Sequence, residues 1–300
     1  MRLSVVITAY NEQENIGDCL ESLKGLNCEI VVVDNSSDDK TKEIAEKYTK
    51  KVFEQKNDPK RIDIQKNLGF GKATGEWILS LDADERVTPE LKKEIESRIK
   101  NQELGIMGYE IPRKNIIFGK WIQYTGWYPD YQLKLFKKGK GKFVAQKVHE
   151  PLVVDGKIEK LLSSIHHENY QSVNQFLERM ISYTDSEAAA LISSKYELNY
   201  IDSIRMPFQE FLRRFFMQEG YKDGLHGLVL SLLMAFYHLI IFVKVWEKRK
   251  FNETQENILE GFSSETKKIR KELSYWAFRV KEKETRNPIQ KILLKVRRYD

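Results

Sequence analysis

Asp82 and Asp84 stand one residue apart in Leu81 to Glu85 (LDADE), and two carboxylates on one side of a turn can hold a hard cation. Such a cation, Mg²⁺ or Mn²⁺, normally brings phosphates with it. The triplet alone says little, because roughly one arises by chance in a chain of this length. Its placement gives it weight: it directly follows the apolar run Trp77 to Leu81. The competing explanation is an acidic cluster ahead of a helix start at Thr88, favourable to the helix dipole and without chemistry. Two further polar clusters follow apolar runs in the same way. Thr8, Ala9, Tyr10, Asn11 and Glu12 follow the run from Leu3, and Asp34 to Asp39 follow Ile30 to Val33. A carboxylate such as Asp34 at a strand end can accept hydrogen bonds from a nucleobase or ribose, and Tyr10 offers a ring for a base to stack on. Equally, Asp34 and Asp38 have the composition of a turn and of acids capping a helix at Thr41.

Open α/β sheets put their ligand crevice at the carboxyl ends of parallel strands, so the elements that deliver these clusters matter as much as the clusters. Leu3 to Thr8, Ile30 to Val33, Val52 with Phe53, and Trp77 to Leu81 read as strands, continuous in apolar residues as strands buried on both faces should be. Between them, Glu14 to Leu23, Thr41 to Tyr48 and Ile62 to Ala73 have helical spacing, and Thr88, Pro89, Glu90 open another helix with a cap. This alternation predicts a doubly wound, mostly parallel sheet flanked by helices. From Gly108 to about His167 short aromatic and β-branched runs, including Leu133 to Phe136 and Phe143 to Val148, predict mixed strands and loops. Trp121, Trp127, Tyr128 and Tyr131 suit stacking on a sugar, or ordinary core packing. Gly69, Gly71 and Gly75 end a helix and precede a strand, the reverse of the dinucleotide fingerprint, and read as termination and turn residues. Neither a phosphate-binding Gly-Lys-Ser/Thr loop nor a Gly-x-Ser-x-Gly elbow occurs.

Composition sets outer bounds. The 300 residues can bury a real core, and 41% hydrophobic with 31% charged residues excludes wholesale disorder. Cys19 and Cys28 have no zinc-like ligand spacing and read as reduced, structural thiols. The start shows no basic segment followed by a long apolar run, so a cytosolic start is expected. The net charge of +6 is unevenly placed: Lys267 to Arg298 carries +9 and the rest −3. A basic tail can meet nucleic acid or an anionic membrane, or simply be a solvated helix face.

The region upstream favours the membrane. Phe208, Phe211, Leu212, Phe215 and Phe216 share one helix face opposite Arg213 and Arg214, a pattern suited to a membrane interface. Leu228 to Val243 is apolar except for Ser231 and His238, and its extension to Trp246 would be about 28 Å long as a helix, near the roughly 30 Å of a hydrocarbon core. Gly227, Ser231, Ala235 and His238 form a small, polar stripe, so interfacial or re-entrant docking ranks above a full span, with a buried core helix as competitor. Ile258 to Val280 continues as a second amphipathic helix, which Asn287 and Pro288 should break. The expected divisions are a sheet domain over 1–200, a membrane-associating helical region over 201–250 and a basic helical tail over 251–300.

Ser4 to Glu12 (SVVITAYNE), Val31 to Asp39 (VVVDNSSDD), Asn67, Gly75 to Ile78 (GEWI) and Leu81 to Glu85 together resemble glycosyltransferase family 2, of GT-A fold. Asp130 to Phe136 (DYQLKLF), Val148 to Pro151 (VHEP), His167 with Tyr170, and Gly220 to Gly227 (GYKDGLHG) resemble its lipopolysaccharide core β-glucosyltransferase branch. The likeness runs to about residue 247. It implies that Thr8, Ala9 and Tyr10 line a uridine pocket with Glu12 beside the pyrophosphate or ribose. Asp34 and Arg61 would contact uracil, Asp82 the ribose, and Asp84 a divalent cation, Mg²⁺ or Mn²⁺, with His167 a further metal or diphosphate ligand. An inverting transfer needs a base, for which Glu150 is the first choice and Asp130 the second.

These readings lead to a membrane-associated, metal-dependent transferase of the cytoplasmic face that moves a hexose, in the first place glucose, from a UDP-sugar to a saccharide or lipid-linked glycan such as lipopolysaccharide core. The partners expected are that donor, that acceptor and an anionic membrane surface, with no nucleic acid. A polyprenyl-phosphate sugar transferase is the alternative within the class. A non-catalytic basic protein binding membrane or nucleic acid is the alternative outside it.

Overall fold

The computed structural model describes residues 3–58, 62–101, 105–144, 152–197, 199–253, 257–285, 287 and 290. The chain forms two compact units, Met1–Trp121 with Trp127–Gln171, and Ile122–Gly126 with Ser172–Asp300.

The first unit begins with the expected alternation: β1 (Leu3–Ala9), α1 (Ile16–Glu21), β2 (Glu29–Asp34), α2 (Thr41–Ala45), β3 (Val52–Glu54), α3 (Ile62–Lys72), β4 (Trp77–Asp82), β5 (Glu85–Val87) and α4 (Pro89–Asn101). There follow β6 (Ile106–Ile117), β7 (Lys120–Trp121), β8 (Asp130–Lys137), β9 (Gly141–Phe143), β10 (Leu152–Val154), β11 (Lys157–Lys160) and β12 (Ile165–Tyr170). The sheet runs β3-β2-β1-β4-β8-β6-β12-β5, with β7 and β11 also on β6, and β9 pairs with β10 separately. Its first four strands are parallel. Beyond β4 it becomes mixed, because β8 is antiparallel to both β4 and β6.

Burial on both faces explains the unbroken apolar runs. Val5, Ile7, Leu79 and Leu81 join the core that includes α1 and α4, while Val6, Val31 and Ile78 join Phe70 and Phe136 in a second cluster. Fully burying each such side chain contributes about 1.5–3 kcal/mol. Gly69 and Gly71 lie inside α3 rather than ending it. A Cβ on Gly69 would fall 2.4 Å from Val6 Cγ1 and 3.0 Å from Val33 Cγ2, so Gly69 sets the approach of α3 to β1 and β2. Thr88 caps α4 as its sequence requires, accepting from Leu91 N at 3.2 Å. Both cysteines are free thiols, and burial pushes Cys28 up to about 11.

The second unit is helical: α5 (Val173–Ser193), α6 (Asp202–Leu212), α7 (Leu225–Lys248) and α8 (Ile258–Glu284). The aromatic face expected to run straight through Phe216 does not do so, since α6 passes into a π-helical turn over Arg213–Met217. Arg213 and Arg214 are also not a free solvated face. Both pair with the buried carboxylate of Glu210, and Arg214 Nη1 donates to Thr125 O at 2.8 Å. α7 is long and apolar enough to cross a membrane. Its small stripe packs on protein: Ser231 is buried, and a Cβ on Gly227 would collide with Gly220 O. Leu225, Leu228, Leu232, Phe236 and Val243 remain exposed along another side.

Candidate active site

Strand register brings the three polar clusters to one sheet edge. Thr8 stands opposite Asp82 on β4, and Ala9 stands opposite Asp34 on β2. The turns after β1 and β2 are stitched together: Asn11 N donates to Ser37 Oγ at 3.0 Å, Asp38 N to Asn11 Oδ1 at 3.0 Å, and Glu12 N to Thr41 Oγ1 at 2.7 Å. Asn11 and Ser36 hold positive φ, 55° and 57°, the left-handed conformation that small polar residues tolerate best in such turns. Neither Asp34 nor Asp38 caps α2. The N-cap position is Lys40, which makes no side-chain capping bond, and Thr41 N instead donates to Asp39 Oδ1 at 2.8 Å. Asp34 is buried, its Oδ2 accepting from Ser37 N at 2.9 Å, and its Oδ1 has no hydrogen-bond partner among the described residues. A buried acceptor left open is costly unless a ligand fills it. The Tyr10 ring is 45% exposed and accessible for stacking.

Asp82 and Asp84 do not serve the N-terminus of α4, because β5 intervenes. Asp82 takes Lys66 Nζ at 2.7 Å on Oδ1 and Lys134 Nζ at 2.6 Å on Oδ2. Burial alone would raise its pKa, but the two ammonium groups outweigh burial and hold the carboxyl well below the usual range. Lys134 also contacts Glu85 at 2.8 Å, and Arg113 links Glu85 at 3.6 Å to Asp130 at 2.6 Å. A cavity of about 580 Å³ opens beside this chain of charges, lined by Asp82, Arg113, Tyr131, Lys134 and Phe143 among others.

Asp84 and His167 come together from loop and β12, with Oδ2 and Nε2 at 3.4 Å and both side chains buried. The carboxylate suits Mg²⁺ or Mn²⁺, and the imidazole, a softer donor, favours the transition metal Mn²⁺ of the two. Among the described residues no group of three or more His, Cys, Asp or Glu is placed to hold a metal. The two donors therefore fit a cation that takes its remaining ligands from phosphate and water, as Mg²⁺ habitually does.

Residues 4–150 match the family described as "Glycosyl transferase family 2". The chain carries a family 2 glycosyltransferase domain. It is 25% identical over 256 residues to a lipopolysaccharide core biosynthesis glycosyltransferase, LpsC, of Rhizobium meliloti, covering 82% of this chain and 92% of that one. It is 37% identical over 109 residues to a dolichol-phosphate mannosyltransferase of Pyrococcus furiosus, covering 34% and 31%. Among solved structures it is similar to S. aureus TarS 1–349 in complex with UDP-GlcNAc, at 17% identity and TM-score 0.42, covering 87% and 95%. It covers 46% of a longer TarS chain. The fold is the mixed α/β GT-A type, and the enzyme is a glycosyltransferase related to one of lipopolysaccharide core synthesis.

In this glycosyltransferase the structure gathers Thr8, Ala9, Tyr10, Glu12, Asp34 and Asp82 along one edge and joins Asp84 to His167. Arg61 and Glu150 lie outside the described residues. Asp130 does not suit a proton acceptor: Arg113, Gln132 and Asn115 all donate to it, and these contacts overcome burial to lower its pKa. Glu12 accepts from Asn15 Nδ2 at 2.7 Å. Reading the sequence missed Lys66, Lys134, Arg113 and Asn115. Lys134 had left a signal, a cation inside the apolar run Leu133 to Phe136, and so had Asn115, an amide before Ile116 and Ile117.

Proposed function

We propose that this enzyme transfers a hexose, glucose in the first place, with inversion from a UDP-sugar to a hydroxyl of a lipid-linked glycan such as lipopolysaccharide core. The observation that carries the reading is the common sheet edge on which an exposed Tyr10, a buried Asp34 with an open oxygen, an ionised Asp82 and the Asp84–His167 pair converge.

Tyr10 stacks on the uracil, and Asp34 Oδ1 accepts from its N–H. Asp82, kept anionic by Lys66 and Lys134, accepts from ribose hydroxyls. Asp84 and His167 would hold Mg²⁺ or Mn²⁺, which when bound would offset the charge of the departing diphosphate. Glu150 takes the proton as the acceptor oxygen bonds to the anomeric carbon and the bond to the diphosphate breaks. Asp130 keeps Arg113 in place. The exposed apolar side of α7 docks the 201–250 region on the cytoplasmic membrane face, assisted by the basic 251–300 tail. The catalytic domain is the first unit, whose sheet ends before Ser172 rather than at residue 200.

Titration of UDP with and without Mn²⁺ tests the reading, followed by UDP release screened across UDP-sugars. Metal-dependent UDP affinity and turnover with a UDP-hexose are expected; metal-independent or absent UDP binding would overturn it. The similarity to a dolichol-phosphate mannosyltransferase keeps a polyprenyl-phosphate acceptor as second reading. That reaction needs no base, so full activity of Glu150→Gln on a polyprenyl phosphate would select it.

A further inference from the structure

We propose that Asn115 is a positioning residue that sets the tautomer of His167 and so prepares Nε2 as a cation ligand, an inference that rests on the metal-dependent reading above. Asn115 is fully buried on β6, directly opposite His167 on β12. Its Nδ2 donates to Trp127 O at 2.8 Å and to Asp130 Oδ2 at 3.3 Å. A backbone carbonyl can only accept, and Asp130 is ionised, so this end of the amide must be its NH₂ group.

The other end is then a carbonyl oxygen with two lone pairs. One accepts from Asn169 Nδ2 at 3.2 Å, and the other faces His167 Nδ1 at 2.7 Å. An oxygen cannot donate, so Nδ1 must carry the proton. Nε2 is then the ring nitrogen left to face a cation, 3.4 Å from Asp84 Oδ2. A divalent cation bound there would take one ligand from each of these two side chains. Asp130 takes part at one remove: anchored by Arg113, it orients the amide that orients the imidazole. This is the arrangement in which outer contacts fix a ligand's geometry and tune its affinity.

Two measurements on the full chain test this. In the metal-free protein, long-range ¹H–¹⁵N NMR should find a proton on His167 Nδ1; an Nδ1 without a proton overturns the proposal. In the presence of UDP, Mn²⁺ affinity measured by calorimetry should fall about 10- to 100-fold in Asn115→Leu. Asn115→Asp, which keeps an oxygen toward His167 but sets a second oxygen against Trp127 O and Asp130, should lose Mn²⁺ affinity as well. UDP affinity without metal should be unchanged in both. Equal Mn²⁺ affinity in Asn115→Leu and wild type overturns the positioning role. Absence of Mn²⁺ binding in the wild type overturns instead the metal-dependent reading on which it rests. If Asn115→Leu fails to fold, the wild-type NMR measurement still decides.

Discussion

The two ends of the parallel strands both bury acids, and Glu29 at one end and Asp34 at the other are treated in opposite ways. At the amino end, Glu29 is enclosed by donors: Thr74 N at 2.7 Å, Thr74 Oγ1 at 2.9 Å, Ser4 Oγ and Lys51 Nζ. Ser4 Oγ in turn accepts from Gly75 N at 2.8 Å, and a Cβ on Gly75 would lie 2.7 Å from Ser4 N. Burial opposes ionisation of Glu29, yet these bonds bring its pKa from 4.5 down to about 2. At the carboxyl end, Asp34 keeps an oxygen without a hydrogen-bond partner among the described residues, and Asp84 faces an imidazole nitrogen. A saturated acid clamps strands together, whereas the open oxygen of Asp34 keeps capacity for a further hydrogen bond.

Exchanging the acids at the two ends should therefore separate activity from stability. The largest effect is expected for Asp84→Asn, which should lower kcat/KM by at least about 1000-fold, some 4 kcal/mol, with an unchanged urea midpoint. A lowered midpoint would blur the contrast. Glu150→Gln should cost about 100- to 1000-fold in transfer to a hydroxyl acceptor, while titration shows undiminished UDP affinity. Full activity would remove Glu150 from the reaction.

Glu29→Gln should do the reverse, costing about 2 kcal/mol in urea unfolding while KM for the donor holds. Because the folded pKa of Glu29 is depressed, its contribution is complete above about pH 4.5 and is lost as pH falls toward 2. The stability gap between wild type and Glu29→Gln should accordingly close on acidification through that window. A gap independent of pH would mean that packing, not ionisation, sustains the amino-end clamp. The smallest effect belongs to Asp34→Ala, expected to weaken UDP about tenfold, or 1.4 kcal/mol, by calorimetry without loss of stability. Loss of stability there would show Asp34 to be a second clamp.

The strand ends were legible because each apolar run stops at a polar cluster, as with Val33 before Asp34 and Leu81 before Asp82. The start of α4 was legible because Thr88 and Pro89 carry local signals. The partners of those acids were not. Lys134 lies 52 residues from Asp82, and Asn115 lies 52 from His167. Alternation along a strand tells which face a side chain takes but not which strand lies beside it. Gly69 was misread for a related reason: its helix could not carry a side chain there only because β1 and β2 press against it.

The amino-acid sequence by itself determined the alternating elements, the apolar strands and the polar turns at their carboxyl ends, since these follow from local periodicity and capping chemistry. Only the tertiary structure decided which charges meet. Insertion of antiparallel β8 between β4 and β6 brings Lys134 to Asp82, and the pairing of β6 with β12 sets Asn115 against His167. Long-range pairing costs chain entropy that local contacts do not repay, so it is settled by burial of the whole sheet rather than by any one segment.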